Sequence, residues 1–214
     1  MRSLLGRLAR RGIPFQTVID IGASDGKWAA LCHREFPEAR VLAVEPLLER
    51  ETALNRRKKD HPWFDYAICL AGAEDHTEAA LTVAPDLDGS AVGHGGRGEA
   101  RSCPVRTLDS LVREKGLPEP FFLKFDTHGY ETAILEGARE TLPRSSVILM
   151  ETYNFKLTSE AQRFEEMIQH LAGLGFRVAD LAEPMLRPKD QILWQADFLF
   201  LRADQPSFND PSFA

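Results

Sequence analysis

Cysteine is scarce: Cys32, Cys69 and Cys103 are the only three. Odd in number, far apart and without a C-x-x-C pair, they exclude a disulfide framework and a cysteine zinc site and point to reduced thiols in a cytoplasmic protein. Long apolar runs are absent as well, so no segment is expected to span a membrane. The opening segment MRSLLGRLARRG is interrupted by Arg7, Arg10 and Arg11 where a secretion signal needs an unbroken apolar stretch, so no signal peptide is expected. Positive charge is in deficit, with 26 Lys and Arg against 32 Asp and Glu and a formal net charge of -6. That removes any global attraction to nucleic acid or to a membrane surface and favours a small-molecule partner. No Gly-Lys-Ser/Thr follows the glycine-rich residues 89–98, so that loop is not a phosphate-binding P-loop.

What the chain does have is an ordinary globular composition, 43% hydrophobic and 27% charged over 214 residues. That suffices for one domain with one core. Short apolar runs alternate with helical patterns, which predicts an α/β fold whose doubly wound, mostly parallel sheet is covered on both faces. Strands are expected at residues 17–21, 41–44, 64–71, 121–125 and 146–151, with helices at 27–36, 48–59, 107–115 and 131–142. Residues 81–84 suggest a short extra strand, and the five glycines of 89–98 a flexible loop. Ser159 with Gln162 reads as a capping box opening a helix that Gly175 stops. The last strands, 177–181 and 197–201, have no helix between them and are expected to form a C-terminal antiparallel hairpin. Leu4, Leu5 and Leu8 at helical spacing predict a helix within residues 1–16 packed on the core at 17–203. Residues 204–214, rich in Pro and Ser, read as a frayed tail.

The segment Asp20-Ile21-Gly22-Ala23-Ser24-Asp25-Gly26 stands where the first strand turns into a helix, the place at which such sheets offer backbone amides to a nucleotide-type ligand. A dinucleotide site wants G-x-G-x-x-G, and Ser24 fills the place of the second glycine, which disfavours a pyrophosphate and an NAD-dependent oxidoreductase with it. S-adenosylmethionine carries an ammonium and a sulfonium and no phosphate, so a carboxylate such as Asp20 beside the turn suits it. Glu45 ends the second strand, the place from which an acid holds ribose hydroxyls. A tight strand-to-helix turn with no ligand is the plainer alternative.

With these residues in hand the chain resembles the FkbM family of class I S-adenosylmethionine-dependent methyltransferases. The resemblance rests on VIDIGASDG at 18–26, VEP at 44–46, AGAED at 71–75, VRTLDSL at 105–111, LKFDTHGYETAILEGA at 123–138 and ILMETY at 148–153. The most diagnostic part is D-x-x-G-x-E followed by L-x-G-A. It implies a seven-stranded Rossmann-like domain of the class I methyltransferase fold that binds the cofactor through Asp20, Gly22, Gly26 and Glu45. Ala23, Ser24, Pro46, Ala71 and Asp126 fall within or beside the same motifs and join the expected cofactor residues. It also implies methyl transfer to an oxygen of a sugar or other small hydroxylated metabolite. Ala23 and Ser24 depart from the commoner glycine pattern of methyltransferases. A non-catalytic binding module keeping the cofactor fold is the alternative from another class. No Asn-Pro-Pro-Tyr/Phe loop follows the fourth strand, which argues against a nucleic-acid acceptor.

Methyl transfer needs the acceptor oxygen aligned with the sulfonium and its proton removed. His128 is the candidate base, because an imidazole exchanges a proton near neutral pH, and Asp126 is its catalytic companion, holding the cofactor's amino group or the acceptor hydroxyl. Glu131, Tyr153, Asn154 and, in the glycine loop, His94 are the expected substrate contacts, Glu131 also standing where it can brace the following helix. Lys124, in an apolar strand, needs a buried partner, for which Glu151 on the adjoining strand is the candidate. Asp126, His128 and Glu151 can be grouped as ligands for a divalent ion, but such trios are common at strand ends without one, and no metal is assigned. Acceptor recognition is left to the loops, the N-terminal helix or a second subunit, which leaves a homodimer open.

Overall fold

The computed structural model describes residues 1–92 and 98–212. The main sheet has seven strands: β1 (Thr17–Ile21), β2 (Arg40–Glu45), β3 (Phe64–Ile68), β8 (Phe121–Phe125), β9 (Ser145–Tyr153), β10 (Phe176–Leu186) and β11 (Leu193–Arg202). A smaller sheet holds β4 (Leu70–Ala71), β5 (Glu78–Val83), β6 (Ala91–Val92) and β7 (Glu99–Arg106). The helices are α1 (Arg2–Arg11), α2 (Lys27–Glu35), α3 (Leu48–Asp60), α4 (Leu108–Lys115), α5 (Glu131–Glu136) and α6 (Phe164–Gly173). In space the large sheet runs β10-β11-β9-β8-β1-β2-β3. Its pairs are parallel except those of β11, which is antiparallel to both β9 and β10. The doubly wound sheet and the closing hairpin are thus as the pattern of apolar runs implies.

Both faces are covered, which is why the central strands read as unbroken apolar runs. On one side Ile19, Ile21, Leu123 and Phe125 pack under α4, α5 and α6. On the other, Val18, Val41, Phe122 and Val147 pack under α1, α2 and α3. Leu4, Leu5 and Leu8 of α1 are fully buried there, each contributing about 1.5–3 kcal/mol of apolar burial. The N-terminal helix therefore packs on the core, and among the described residues no helix is long and apolar enough to cross a membrane.

The family motifs turn out to be places where backbones meet. A Cβ on Gly22 would stand 2.0 Å from the carbonyl oxygen of Asp126, and one on Gly137, the glycine of L-x-G-A, 1.9 Å from that of Gly72. Only glycine permits either approach. Asp75 of AGAED accepts from the Thr107 N–H at 2.9 Å, its hydroxyl at 3.0 Å and the Ser110 hydroxyl at 2.6 Å, and pairs with Arg106. These donors are the VRTLDSL motif. Burial works against the carboxylate, but they outweigh it and hold Asp75 down at about 2.

Several expected boundaries move. The run 64–71 is two strands, because the chain leaves the large sheet at Cys69 and crosses into the small one, pairing Leu70 with Val105. β7 has no counterpart among the expected strands; its alternating exposure hides only Cys103 and Val105. The helix after β8 ends at Glu136, six residues early, and the helix expected from Ser159 begins at Phe164, boxed by Arg163 and Glu166 instead. β10 and β11 extend well beyond their predicted ends, past Pro184, which sits where the register shifts between Ala182 and Met185. The tail is docked in part: Phe208 lies on the core, with the Arg177 guanidinium 4.7 Å from its ring centre.

Candidate active site

A cavity of about 250 Å³ opens at the carboxyl ends of β1, β2 and β8, where ligands of open α/β sheets bind. Gly22 and Ser24 form one side, and Glu45, Pro46 and Ala71 line the next. Leu87, Asp88 and Ser90, from the turn between β5 and β6, cover it, and Asp126, Thr127 and His128 close the fourth side. Six of the expected cofactor residues, Gly22, Ser24, Glu45, Pro46, Ala71 and Asp126, therefore meet in one place. Asp20, Ala23 and Gly26 stand behind it. Gly26, at φ +75, turns the chain into α2, and Ala23 is packed in the core.

The turn after β1 is fixed to the end of β2. Glu45 Oε2 accepts the Ser24 N–H at 2.8 Å and Oε1 the Leu47 N–H at 2.9 Å. Burial nonetheless pushes the Glu45 carboxyl up to about 7, against the pull of those donors. Asp20 is 1% exposed, and its Oδ2 has no hydrogen-bond partner among the described residues. Burial lifts it to about 7 as well, although Lys124 opposes the rise. An acid with nothing bonded to one oxygen in the interior is costly.

Lys124 is opposite Asp20 in the β1–β8 register, and its ammonium reaches Asp126 Oδ2 at 2.8 Å. The expected pair with Glu151 is not formed. Lys124 is in register with Leu149, two residues short of Glu151, whereas Asp126 lies at the end of the same strand. Burial works to lower the ammonium's pKa, but Asp126 and Asp20 outweigh it and the net direction is up. Glu151 instead accepts from Gln195 Nε2 at 2.6 Å and from the Tyr153 hydroxyl. Burial and the neighbouring Asp126 raise its pKa.

His128 sits at φ +51, a left-handed conformation that a histidine adopts at a cost. Its Nδ1 lies 3.0 Å from the Ser90 carbonyl oxygen. A carbonyl only accepts, so Nδ1 carries the hydrogen and the neutral ring offers Nε2 as its lone pair. That nitrogen stands 3.6 Å from Asp126 Oδ1 and 3.7 Å from Glu151 Oε1.

The other expected substrate contacts among the described residues do not line this cavity. Glu131 is buried and accepts from the Gly129 N–H at 2.8 Å and the Thr127 hydroxyl at 3.1 Å, bracing the loop that carries His128. Asn154 is used up by the hairpin, donating from Nδ2 to the Leu193 carbonyl and from its N–H to that of Trp194. Tyr153 is buried, its ring 6.1 Å from that of His128. His94 lies outside the described residues. Trp28 packs on the sheet, edge to face with Phe122, under Lys124. Sequence reasoning missed Arg50, which binds Asp88 at 2.6 Å, and Asp88 itself, which also accepts from the Ser24 hydroxyl at 3.0 Å. The D-L-D-G turn signal at 86–89 was the available clue.

The sequence profile of the Methyltransferase FkbM domain matches residues 20–178, from Asp20 of the first strand into β10. The chain belongs to this family. Among solved structures, the FkbM methyltransferase of Methylobacillus flagellatus KT is 18% identical, with a TM-score of 0.54 over 86% of this chain and 43% of its own. An rRNA methylase from Streptococcus thermophilus is 13% identical, with a TM-score of 0.51 over 94% and 93% of the two chains. At these identities the likeness is one of fold. The AMB antimetabolite synthetase AmbE of Pseudomonas aeruginosa is 24% identical over 83% of this chain. The FkbM-family chain described here spans only 10% of that synthetase and under half of the Methylobacillus protein.

Proposed function

We propose that this FkbM-family protein is an S-adenosylmethionine-dependent methyltransferase acting on a hydroxyl oxygen of a small metabolite or sugar. What supports the reading is the meeting of two sets of groups at one cavity: the Gly22 turn with Glu45 on one side, and the free Nε2 of His128 beside Asp126 on the other. The donor set suits the cofactor. Glu45, Asp88 and Asp126 bring carboxylates to the cleft, and among the described residues the cations beside them, Arg50 and Lys124, are already paired with Asp88 and Asp126. A pyrophosphate finds no free cation among them, whereas the carboxylates can accept an ammonium or lie beside a sulfonium.

When bound, S-adenosylmethionine supplies a methyl group made electrophilic by its sulfonium. The chain's part is binding and alignment. Glu45 is the acceptor for ribose hydroxyls, and the apolar Leu70, Leu81 and Ile134 exclude water beside it. Asp126 and His128 face the side from which an acceptor oxygen arrives, and the strained loop that carries them is pinned by Glu131 and Ser90. Isothermal titration of the protein with S-adenosylmethionine and with NAD tests the cofactor; tighter binding of NAD, or no heat with the first, refutes it. Transfer of a labelled methyl group to hydroxylated compounds in a metabolite extract tests the reaction, and binding without any transfer would favour the non-catalytic module.

A further inference from the structure

We infer that Asp126, His128 and Glu151 form a binding site for a divalent transition-metal ion of the manganese type, which accepts carboxylate and imidazole together, open on the side where the methyl acceptor arrives. The three donors converge: Oδ1, Nε2 and Oε1 all lie within 4.8 Å of one another, with His128 Nε2 3.6 and 3.7 Å from the two carboxylate oxygens. These gaps are too long for hydrogen bonds. They suit ligands of one ion, since donors about 2.1–2.3 Å from a centre at angles near 90–110° stand about 3.0–3.8 Å apart.

Each donor is also held from behind by a group outside the trio. Lys124 occupies Asp126 Oδ2, the Ser90 carbonyl occupies His128 Nδ1, and Gln195 occupies Glu151 Oε2. Three outer partners thus fix three ligands, the arrangement that orients metal ligands in general; Asp126 Oδ1 and His128 Nε2 are left facing, and Glu151 Oε1, which also accepts from the Tyr153 hydroxyl, keeps a second lone pair. The charge balance points the same way. The single buried ammonium of Lys124 is shared by Asp20, Asp126 and Asp197, and Glu151 adds a fourth carboxylate next to Asp126 and Asp197. A dication supplies the missing positive charge. The trio is reachable, with side chains 37%, 21% and 14% exposed for Asp126, His128 and Glu151, so three protein ligands leave coordination positions for an acceptor and water.

The catalytic consequence rests on the methyl-transfer reading. An acceptor hydroxyl bound to the ion loses its proton to solvent water, and its oxygen attacks the methyl carbon. The carbon–sulfur bond breaks with its electron pair remaining on sulfur, which leaves a thioether and a methyl ether. His128 then serves as a ligand, not as the base, and acceptors with two adjacent oxygens, such as vicinal diols or catechols, are the best suited.

The test uses chelator-stripped protein and Mn2+, followed by electron paramagnetic resonance of the free ion and by calorimetry. About one Mn2+ per chain is expected, with Asp126→Asn, His128→Ala and Glu151→Gln each weakening it at least tenfold, and Gln195→Leu, behind the ligand, weakening it about 10–100-fold. Circular dichroism keeps misfolded variants out of the comparison. No saturable binding to the folded wild-type protein, or binding that all four folded variants retain, overturns the site. S-adenosylmethionine is titrated into the same stripped protein: cofactor binding without Mn2+ binding refutes the metal alone, and Mn2+ binding without cofactor binding refutes the methyltransferase reading alone. Methyl transfer, once detected, is expected to stop in EDTA and return with Mn2+; turnover indifferent to EDTA restores His128 as a direct base.

Discussion

The carbonyl oxygen of Asp126 occupies the space a side chain on Gly22 would need, 2.0 Å from its Cβ position. The cofactor turn and the loop of the chemistry block are therefore in backbone contact, and Asp126 donates its own N–H to Ile21 at 3.0 Å. Gly22→Ala must push the two strand ends apart while also placing a Cβ at φ +78. A loss of about 3 kcal/mol or more is expected in a urea titration, together with loss of S-adenosylmethionine binding. A wild-type midpoint would contradict the contact.

Glu45→Gln keeps the shape of the side chain and removes its charge. The affinity for S-adenosylmethionine is expected to fall about 10–100-fold by calorimetry, the range for a hydrogen-bonded charge. Unchanged affinity would remove Glu45 from the cofactor site.

Lys124→Met leaves Asp20, Asp126 and Asp197 without their shared cation in the interior. Measured at pH 8 or above, where Asp20 has to ionise, a loss of about 3–5 kcal/mol is expected, and adding Asp20→Asn to that variant should recover part of it, because one of the stranded charges is gone. A double variant no more stable than the single one would show that Lys124 does not serve Asp20.

How far these residues were legible from sequence depended on the range of the forces that place them. β1 and β8 declare themselves because both faces are buried, and TVIDI and FFLKF are apolar nearly throughout. Gly22, Glu45 and Asp126 follow, since strand ends in a parallel sheet share one edge. β7 does not declare itself: EARSCPVR shows only a weak alternation, and its strand state is decided by distant partners, Glu78 to Val83 on one side and Leu70 on the other. The partner of Lys124 was misjudged for a similar reason, because register between strands is set by the whole sheet. Asp88 and Arg50, 38 positions apart, meet only once the small sheet is folded over the cleft.

The acids at Asp20 and Glu45 give the free protein a pH signature. Each stands at about 7 when folded, above its ordinary value near 4. Between those values the folded state holds more protons than the unfolded one, so stability falls as pH rises from about 4 to about 7 and levels off beyond. A melting temperature lower by about 5 °C or more at pH 7.5 than at pH 5 is expected. Asp75, held at about 2, acts in the opposite sense and only below about pH 4. A melting temperature that rises over the upper window would show that neither acid is protonated in the fold.

His128→Ala should lower turnover about 100-fold or more while leaving S-adenosylmethionine affinity nearly intact. Steady-state kinetics with calorimetry on the same sample separates the two. Turnover within a fewfold of wild type would reduce His128 to a loop residue satisfying the Ser90 carbonyl.

That contact has one more implication. The imidazole is gripped by a main-chain oxygen, while the Ser90 side chain is occupied inside its own turn, with Ala84 and Leu87. A main-chain grip is blind to the identity of the residue that provides it, so long as the turn keeps its path. Substitutions along the covering loop can alter which molecules are admitted without re-aiming the ring beneath. Selectivity and ring alignment, crowded into one small patch, are in this way free to drift apart over evolutionary time.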